Sequence, residues 1–421
     1  MDINKVLKQL DLLPEKEELE TLKRKTKAIV EDIKAGLKKG RIKADVFVGG
    51  SFAKGTLIRG ELYDIDIFVR FDKKYKNENM SDILEKVVRN LKMPKTERVH
   101  GSRDYFRIWL FNNLIFEIIP VLKIRKPSEA ENVTDLSYFH VGYVKRKVNK
   151  KIAGEIAFAK QFCKAQKIYG AESYVNGFSG YGVECLIIYY KTFEKMLRAL
   201  SKTEEKLVID PEKKYKNRHE IMLGINESRL GSPIVLVDPT WKERNVLAAL
   251  NASTFEKFQE ATSKFLKNPG KEFFEIKEFD REEFKKKAKK EEEFVEVEIS
   301  TDRQEGDIAG TKLKKFANFM ERELEKYFGI KSKEFDYRGE KTARFYLIVK
   351  SKGEIIKNGP PKKDRKNADA FRKVNNKVYE KGGMLFSKVK IDFTAKKFIQ
   401  DFSKKYDKTI KGMGISGLEI N

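Results

Sequence analysis

Cysteine is nearly missing from this chain, with two thiols, Cys163 and Cys185, among 421 residues. Each sits inside an apolar helical pattern, which excludes a disulfide framework and a cysteine-based zinc site and reads as a buried thiol in a reducing compartment. Histidine is almost as scarce at three residues, too few for a His-rich metal centre. Ten prolines and 27 glycines are ordinary numbers and argue against long disordered stretches. No apolar run approaches membrane-spanning length. The opening "MDINKVLKQLDLLPEKEELE" carries no leader-type apolar segment. The expectation is a cytoplasmic protein that makes no membrane contact.

What the chain has in abundance is positive charge. Lys+Arg number 89 against 64 Asp+Glu, a net +25, with an isoelectric point near 9.6. An excess of that size suits a polyanionic partner, because each neutralised phosphate releases condensed counterions. A lysine-rich surface with no such partner is the competing reading. Apolar residues make up 40%, enough for packed cores, and the length calls for two to four domains.

Periodicity divides the chain into three. Residues 1–125 read as a small α/β head: an amphipathic helix from Pro14 to about Lys39, then the strands "DVFVGG", "DIDIFVRF", "YFRIWLF" and "NLIFEIIPVL", with a helix at "MSDILEKVVRNL". Residues 126–267 read as a helical central domain, in which "KIAGEIAFAKQFCKAQKIYG" and "SGYGVECLIIYYKTFEKML" carry apolar residues at helical spacing. Residues 268–421 begin with a Lys/Glu/Phe stretch expected as an exposed connecting helix to Glu293. An α+β body with a short tail follows. No internal repeat is visible.

The second strand contains Asp64 and Asp66. Residues i and i+2 of a strand share a face, so both carboxylates project together while Ile65 and Ile67 face a core. Two carboxylates that close repel unless a cation sits between them, and oxygen ligands suit Mg²⁺. Glu117 is the one charge in "NLIFEIIPVL" and offers a third acid, although an exposed sheet face is the plainer reading of any single acid. Upstream, Gly49, Gly50 and Ser51 end a strand and open "FAKGTLIRG". Backbone N–H groups and a hydroxyl at such a turn suit a phosphate, and Lys54, one turn on, can face the same anion. A Walker-type loop is excluded, because Thr56 follows Gly55 where lysine is required.

Strand, Gly-Ser, then Asp-x-Asp and a later strand carboxylate together resemble the DNA polymerase β nucleotidyltransferase superfamily. The segments "TDLSYFHVGYV", "KAQKIYGAESYVNGFSGYGVE", "DPTWKERNVLAALN" and "NGPPKKDRKNADAF" narrow the resemblance to the archaeal class I CCA-adding enzymes, over nearly the whole chain and in the same order. That resemblance implies template-independent addition of C, C and A to the tRNA 3′ end from CTP and ATP. By position it implies Asp64, Asp66 and Glu117 as ligands of two Mg²⁺ ions, and Ser51 and Lys54 on the triphosphate. His140, Lys160 and Tyr169 would line the nucleotide site, and Arg244 would help read the base. The family usually has Glu-x-Asp where Asp64 and Asp66 stand, Asp at Glu117 and often Arg at Lys54; lysine keeps the charge but loses the fork.

Each of these residues also has a plainer reading. Lys160 lies about 40° around its helix from Ile156, at the border of the buried stripe, where a lysine often only snorkels. Tyr169 ends that helix and suits packing. His140 suits a polar loop surface, and Arg244 can simply pair with Asp238 or Glu243. Ser179 in "GFSGYGVE" reads as a helix N-cap, with no chemistry of its own.

The basic cluster Lys362, Lys363, Arg365 and Lys366 suits phosphate contacts, which position RNA without reading its sequence. The implied partner is tRNA, gripped at the acceptor stem and T-arm region; a homodimer is left open. Another RNA 3′ nucleotidyltransferase, such as a poly(A) polymerase, and a non-catalytic RNA-binding protein with a degenerate site are the alternatives.

Overall fold

The computed structural model describes residues 2–60, 62–91, 93, 95–110 and 113–421 and divides into two compact units, Met1–Lys277 and Glu278–Asn421. The first unit opens with α1 (Ile3–Leu7), α2 (Lys16–Lys39), β1 (Ala44–Val48), α3 (Gly50–Lys54) and β2 (Tyr63–Phe71). Then come α4 (Met80–Arg89), β3 (Lys95–Val99), β4 (Tyr105–Trp109) and β5 (Leu114–Leu122). The five strands form one sheet in the order β1-β2-β5-β4-β3, with β2 and β5 parallel and the other pairs antiparallel.

Alternation along β2 and β5 gives the sheet two unlike faces. Ile65, Ile67, Val69, Phe116 and Ile118 pack with Ile29 and Ile33 of α2 and Leu84 and Val87 of α4 in one core. Burying side chains of that size stabilises by roughly 1.5–3 kcal/mol each. The opposite face carries Asp64, Asp66 and Glu117 at one end and the apolar group Phe68, Ile119 and Val121 at the other. The amphipathic helix and the four strands anticipated from the pattern are present. Strand β3 was not anticipated: "KTERV" is too polar to show an alternation, and pairing with β4 alone places it at the sheet edge. The last residue of the expected "YFRIWLF" strand, Phe111, lies outside the described residues.

The same unit continues through α5 (Ser137–Lys147), α6 (Lys150–Ala165), α7 (Gly180–Tyr190), α8 (Phe193–Leu200) and α10 (Ala252–Lys267). Between the last two lie β6 (Leu207–Ile209), α9 (Arg218–Gly224) and β7 (Ile234–Leu236), the two strands pairing in parallel. Rings of Phe162, Phe178, Phe193, Phe258 and Phe265 fill its core. The Ser179 side chain accepts the Gly182 N–H at the start of α7, an N-cap. The expected exposed helix over 268–293 does not run through the stretch, which holds a 3-10 turn at Lys271–Phe274 and a six-residue helix at Arg281–Lys286. Phe274, 3% exposed, packs into the Phe162 core instead, and Gln161 and Gln166 donate to the carbonyls of Phe274 (2.7 Å) and Phe273 (2.9 Å). The apolar rings outweigh the charge pattern that suggested a solvated rod.

The second unit contains α11 (Arg281–Lys286), β8 (Glu293–Ser300), α12 (Asp307–Leu324), β9 (Phe328–Tyr337), β10 (Thr342–Ser351) and β11 (Glu354–Pro361). It ends with α13 (Arg365–Val374), β12 (Val378–Lys381), β13 (Met384–Lys390), α14 (Ala395–Lys405), α15 (Asp407–Gly412) and β14 (Gly417–Ile420). A four-stranded sheet, β14-β8-β10-β9, packs on α12 and α14, and a three-stranded sheet, β11-β13-β12, lies beside α13. The stretch "NGPP" forms the end of β11. The chain is thus an α+β multidomain protein. No described helix is long and apolar enough to cross a membrane.

Candidate active site

The parallel register of β2 and β5 sets Asp66 directly beside Glu117, with Asp64 two residues back on the same face. Asp64 is exposed, whereas Asp66 and Glu117 are partly buried. Burial, with Glu117 and Asp64 close by, pushes the Asp66 carboxyl up to about 7 despite the opposing Lys54 ammonium. Neighbouring protein atoms also desolvate and so raise the solvent-reachable Asp64 and the partly buried Glu117, against the pull of Arg107 on both. The three acids differ in their partners. Arg107, opposite Glu117 on β4, donates to its carboxylate at 2.7 and 3.1 Å. Among the described residues no three acidic, His or Cys side chains are already converged as a metal group.

Space beside Asp66 comes from the turn between β1 and α3. Gly50 has φ +58°, and a Cβ there would lie 1.7 Å from Asp66 Oδ2. Glycine is needed for both reasons, conformation and closeness. The Gly49 N–H donates to the Asp66 carbonyl at 2.8 Å, tying the turn to β2. Ser51 is partly buried on the first turn of α3, and Lys54 ends that helix.

Lys54 leads into a buried polar group. Its ammonium donates to Glu184 Oε2 at 2.8 Å. Glu184 Oε1 accepts from Lys160 at 2.8 Å and from the Thr56 hydroxyl at 2.6 Å. Lys160 is 3% exposed, so it is a core ion pair and not a snorkelling surface lysine. Burial pushes Glu184 up, but the Lys160 and Lys54 ammoniums outweigh it and hold the carboxyl at about 2. Tyr169 does not end α6, which stops at Ala165; with Lys167 at φ 56° the chain turns, and Tyr169 forms a short bridge to Phe178. Gly180 leaves room for its hydroxyl, since a Cβ there would lie 2.6 Å away. Lys164, one turn beyond Lys160, lies 5.6 Å over the Tyr169 ring, and burial lowers its pKa, offset only in part by the nearby Asp64 carboxylate.

A second constellation surrounds Asp238. His140 is buried on α5, not in a surface loop, with its Nε2 3.2 Å from Asp238 Oδ2. It stacks on Tyr181 of α7 at 3.9 Å between ring centroids. Burial lowers its pKa more than Asp238 raises it, so the ring is neutral near pH 7. Arg244 donates to the same Asp238 oxygen at 2.7 Å, and the Tyr181 hydroxyl and Thr240 N–H reach Oδ1 at 3.2 and 2.7 Å. Burial pushes Asp238 up, but these partners bring it well below the usual carboxylate range. A guanidinium fixed beside an aromatic stack can present its remaining N–H groups to the acceptor edge of a base.

Sequence reading passed over Glu184, Tyr181, Arg107 and Lys164. Glu184 was findable, for it is the one charge in "GVECLIIYY", the same signal that singled out Glu117. Tyr181 and Arg107 give no such signal, because aromatic and alternating charged residues are common in helices and strands.

The donor set suits a hard divalent cation: oxygens only, partly desolvated and short of counter-charge. Asp64 and Asp66 fit directly, and Glu117 fits when it leaves Arg107. Residues 154–275 match the family model "tRNA nucleotidyltransferase, second domain", and residues 1–137 match "Second Messenger Oligonucleotide or Dinucleotide Synthetase domain". The CCA-adding enzyme of Nanoarchaeum equitans (strain Kin4-M) is 35% identical over 398 residues, 94% of each chain. That of Saccharolobus islandicus (strain M.14.25 / Kamchatka #1) is 31% identical over 286 residues, 68% of this chain and 65% of the relative. The Cid1 poly(U) polymerase crystal structure is 13% identical with a TM-score of 0.49, over 65% of this chain and 97% of that one. The full-length match to the Nanoarchaeum protein places this chain in the CCA-adding enzyme family.

Proposed function

We propose that this protein adds C, C and A to the 3′ end of tRNA from CTP and ATP without a nucleic-acid template. The observation that carries the reading is the register pairing of Asp66 with Glu117 beside Asp64, next to a glycine turn that ends in Lys54.

Asp64, Asp66 and Glu117 would hold Mg²⁺. The bound ions would lower the pKa of the attacking hydroxyl and neutralise charge on the triphosphate. The terminal 3′-hydroxyl of tRNA attacks the α-phosphorus of the nucleotide. A new P–O bond forms, the bond to the β-phosphate breaks, pyrophosphate leaves and the hydroxyl proton passes to water. Ser51 and Lys54 supply the hydroxyl and positive charge on the triphosphate side, with Lys160 behind them and Tyr169 closing the wall. His140 and Tyr181 frame the base, and Asp238 fixes Arg244 to read its acceptor edge.

Residues 1–125 act as the catalytic head, 126–267 complete the nucleotide site, and 268–421 grip the tRNA acceptor stem and T-arm. Lys362, Lys363, Arg365 and Lys366 serve phosphate contacts there. The work is done in the cytoplasm.

The test uses tRNAs ending before, within and after CCA, incubated with Mg²⁺ and CTP, ATP, UTP or GTP singly and in pairs. Stepwise extension that stops at CCA is expected. Tailing of any RNA with ATP alone would overturn the assignment in favour of a poly(A) polymerase.

A further inference from the structure

Lys54 and Lys160 occupy different situations although one carboxylate holds both. An ammonium has three N–H groups. Lys160 spends its own inside the protein: on Glu184 Oε1 at 2.8 Å, on the Thr56 carbonyl at 3.2 Å and on the Thr56 hydroxyl at 3.2 Å. Its side chain is 3% exposed. Lys54, 11% exposed, is joined among the described residues to Glu184 and lies 5.4 Å over the Tyr181 ring. It also sits close enough to Asp66 to counter that carboxyl's rise. An unanchored lysine has four flexible bonds and would swing onto the acidic face, neutralising the carboxylates needed for a cation.

We infer that Glu184 is a positioning residue for the nucleotide's triphosphate: it pins the Lys54 ammonium at the Gly49–Ser51 turn and off the acidic face, while Lys160 is the buried counter-charge that keeps Glu184 ionised. The assignment rests on reading this turn as the nucleotide site. It divides the labour between the two lysines, Lys54 meeting phosphate and Lys160 acting through Glu184. A carboxylate buried this deeply needs compensation on both oxygens, and the two lysines with Thr56 provide it. The three charged groups together leave one net positive charge, the one Lys54 presents.

The experiment is a double-mutant cycle on the full-length protein, reading KM for CTP and kcat with a tRNA lacking CCA. Lys54→Met is expected to raise KM at least about tenfold. Glu184→Gln is expected to raise it by a comparable factor, and the Lys54→Met/Glu184→Gln double variant to be no worse than Lys54→Met alone, because the effect passes through one ammonium. Multiplying penalties in the double variant would mean that Glu184 serves only the packing, and would overturn the inference.

Should Glu184→Gln unfold, Glu184→Gln/Lys160→Met removes the buried pair together and leaves Lys54 unanchored. Its KM should again rise at least about tenfold, and a value within about threefold of wild type overturns the inference. Lys160→Met alone should cost less in KM than Lys54→Met, and the reverse order would make Lys160 the phosphate contact. An unchanged KM in Lys54→Met would instead remove the nucleotide reading of the turn, and the role of Glu184 with it.

Discussion

The guanidinium of Arg107 lies 2.7 Å from the Glu117 carboxylate, across the ladder between β4 and β5. Glu117 therefore has a counter-ion of its own, while its register partner Asp66 has none as close among the described residues. Arg107 balances a three-carboxylate face in which every member is raised by desolvation. If Glu117 is the third ligand, metal and arginine compete for it. Arg107→Gln should then lower the half-saturating Mg²⁺ concentration, by about three- to tenfold, at a stability cost on the order of 1 kcal/mol. Titration of activity against Mg²⁺ checks this; an unchanged midpoint would leave the site with two carboxylate ligands.

Asp66→Ala should reduce CTP incorporation by more than about a hundredfold with the melting temperature kept or raised, because a repelled, partly desolvated carboxyl is removed. Retention of activity within about tenfold would take Asp66 out of the catalytic set.

The raised Asp66 pKa has two opposite consequences with pH. Its folded value of about 7 lies above the ordinary aspartate value of 3.8. Its contribution to the stability of the metal-free protein is therefore fully present below about pH 4 and is lost as pH rises through 7. Divalent cations need the ionised form, so their apparent affinity should climb by up to about tenfold per unit below pH 7 and level off above it. Calorimetric Mg²⁺ titrations between pH 5.5 and 8.5 would show that slope, and a flat profile would contradict it.

Gly50→Ala should behave like a partial loss of Asp66. The new methyl would meet Oδ2, and the left-handed backbone at φ +58° adds about 1–2 kcal/mol of strain. Activity should fall more steeply than stability; a fully active, equally stable variant would show that the turn stands further from β2.

Asp238→Asn leaves His140 and Arg244 without their shared anion. Loss of about 3 kcal/mol of stability is expected from breaking a buried pair, together with roughly tenfold more misincorporation of UTP or GTP relative to CTP. Single-nucleotide extension on tRNA lacking CCA measures the ratio. Unchanged discrimination would make Asp238 a structural anchor only.

Much of the head was legible because a strand's period is two. That alone put Asp64 and Asp66 on one face and Ile65 and Ile67 in a core. The Gly49–Gly50–Ser51 turn was legible because few residues tolerate its backbone. What escaped depends on neighbours distant in sequence. Glu184 lies 130 residues from Lys54, and His140 lies 98 from Asp238. The stretch after 267 misled for a related reason: its charges are local, whereas the Phe274 pocket is built from α6, α8 and α10.

By itself, the sequence determined which faces are apolar, where helices are capped and which acids share a strand, because those follow from local periodicity and backbone sterics. Only the tertiary structure decided the partners of each charge. It assigned Glu117 to Arg107, Lys160 to Glu184 and His140 to Asp238, since such pairs form by proximity in space and no local pattern encodes which elements meet.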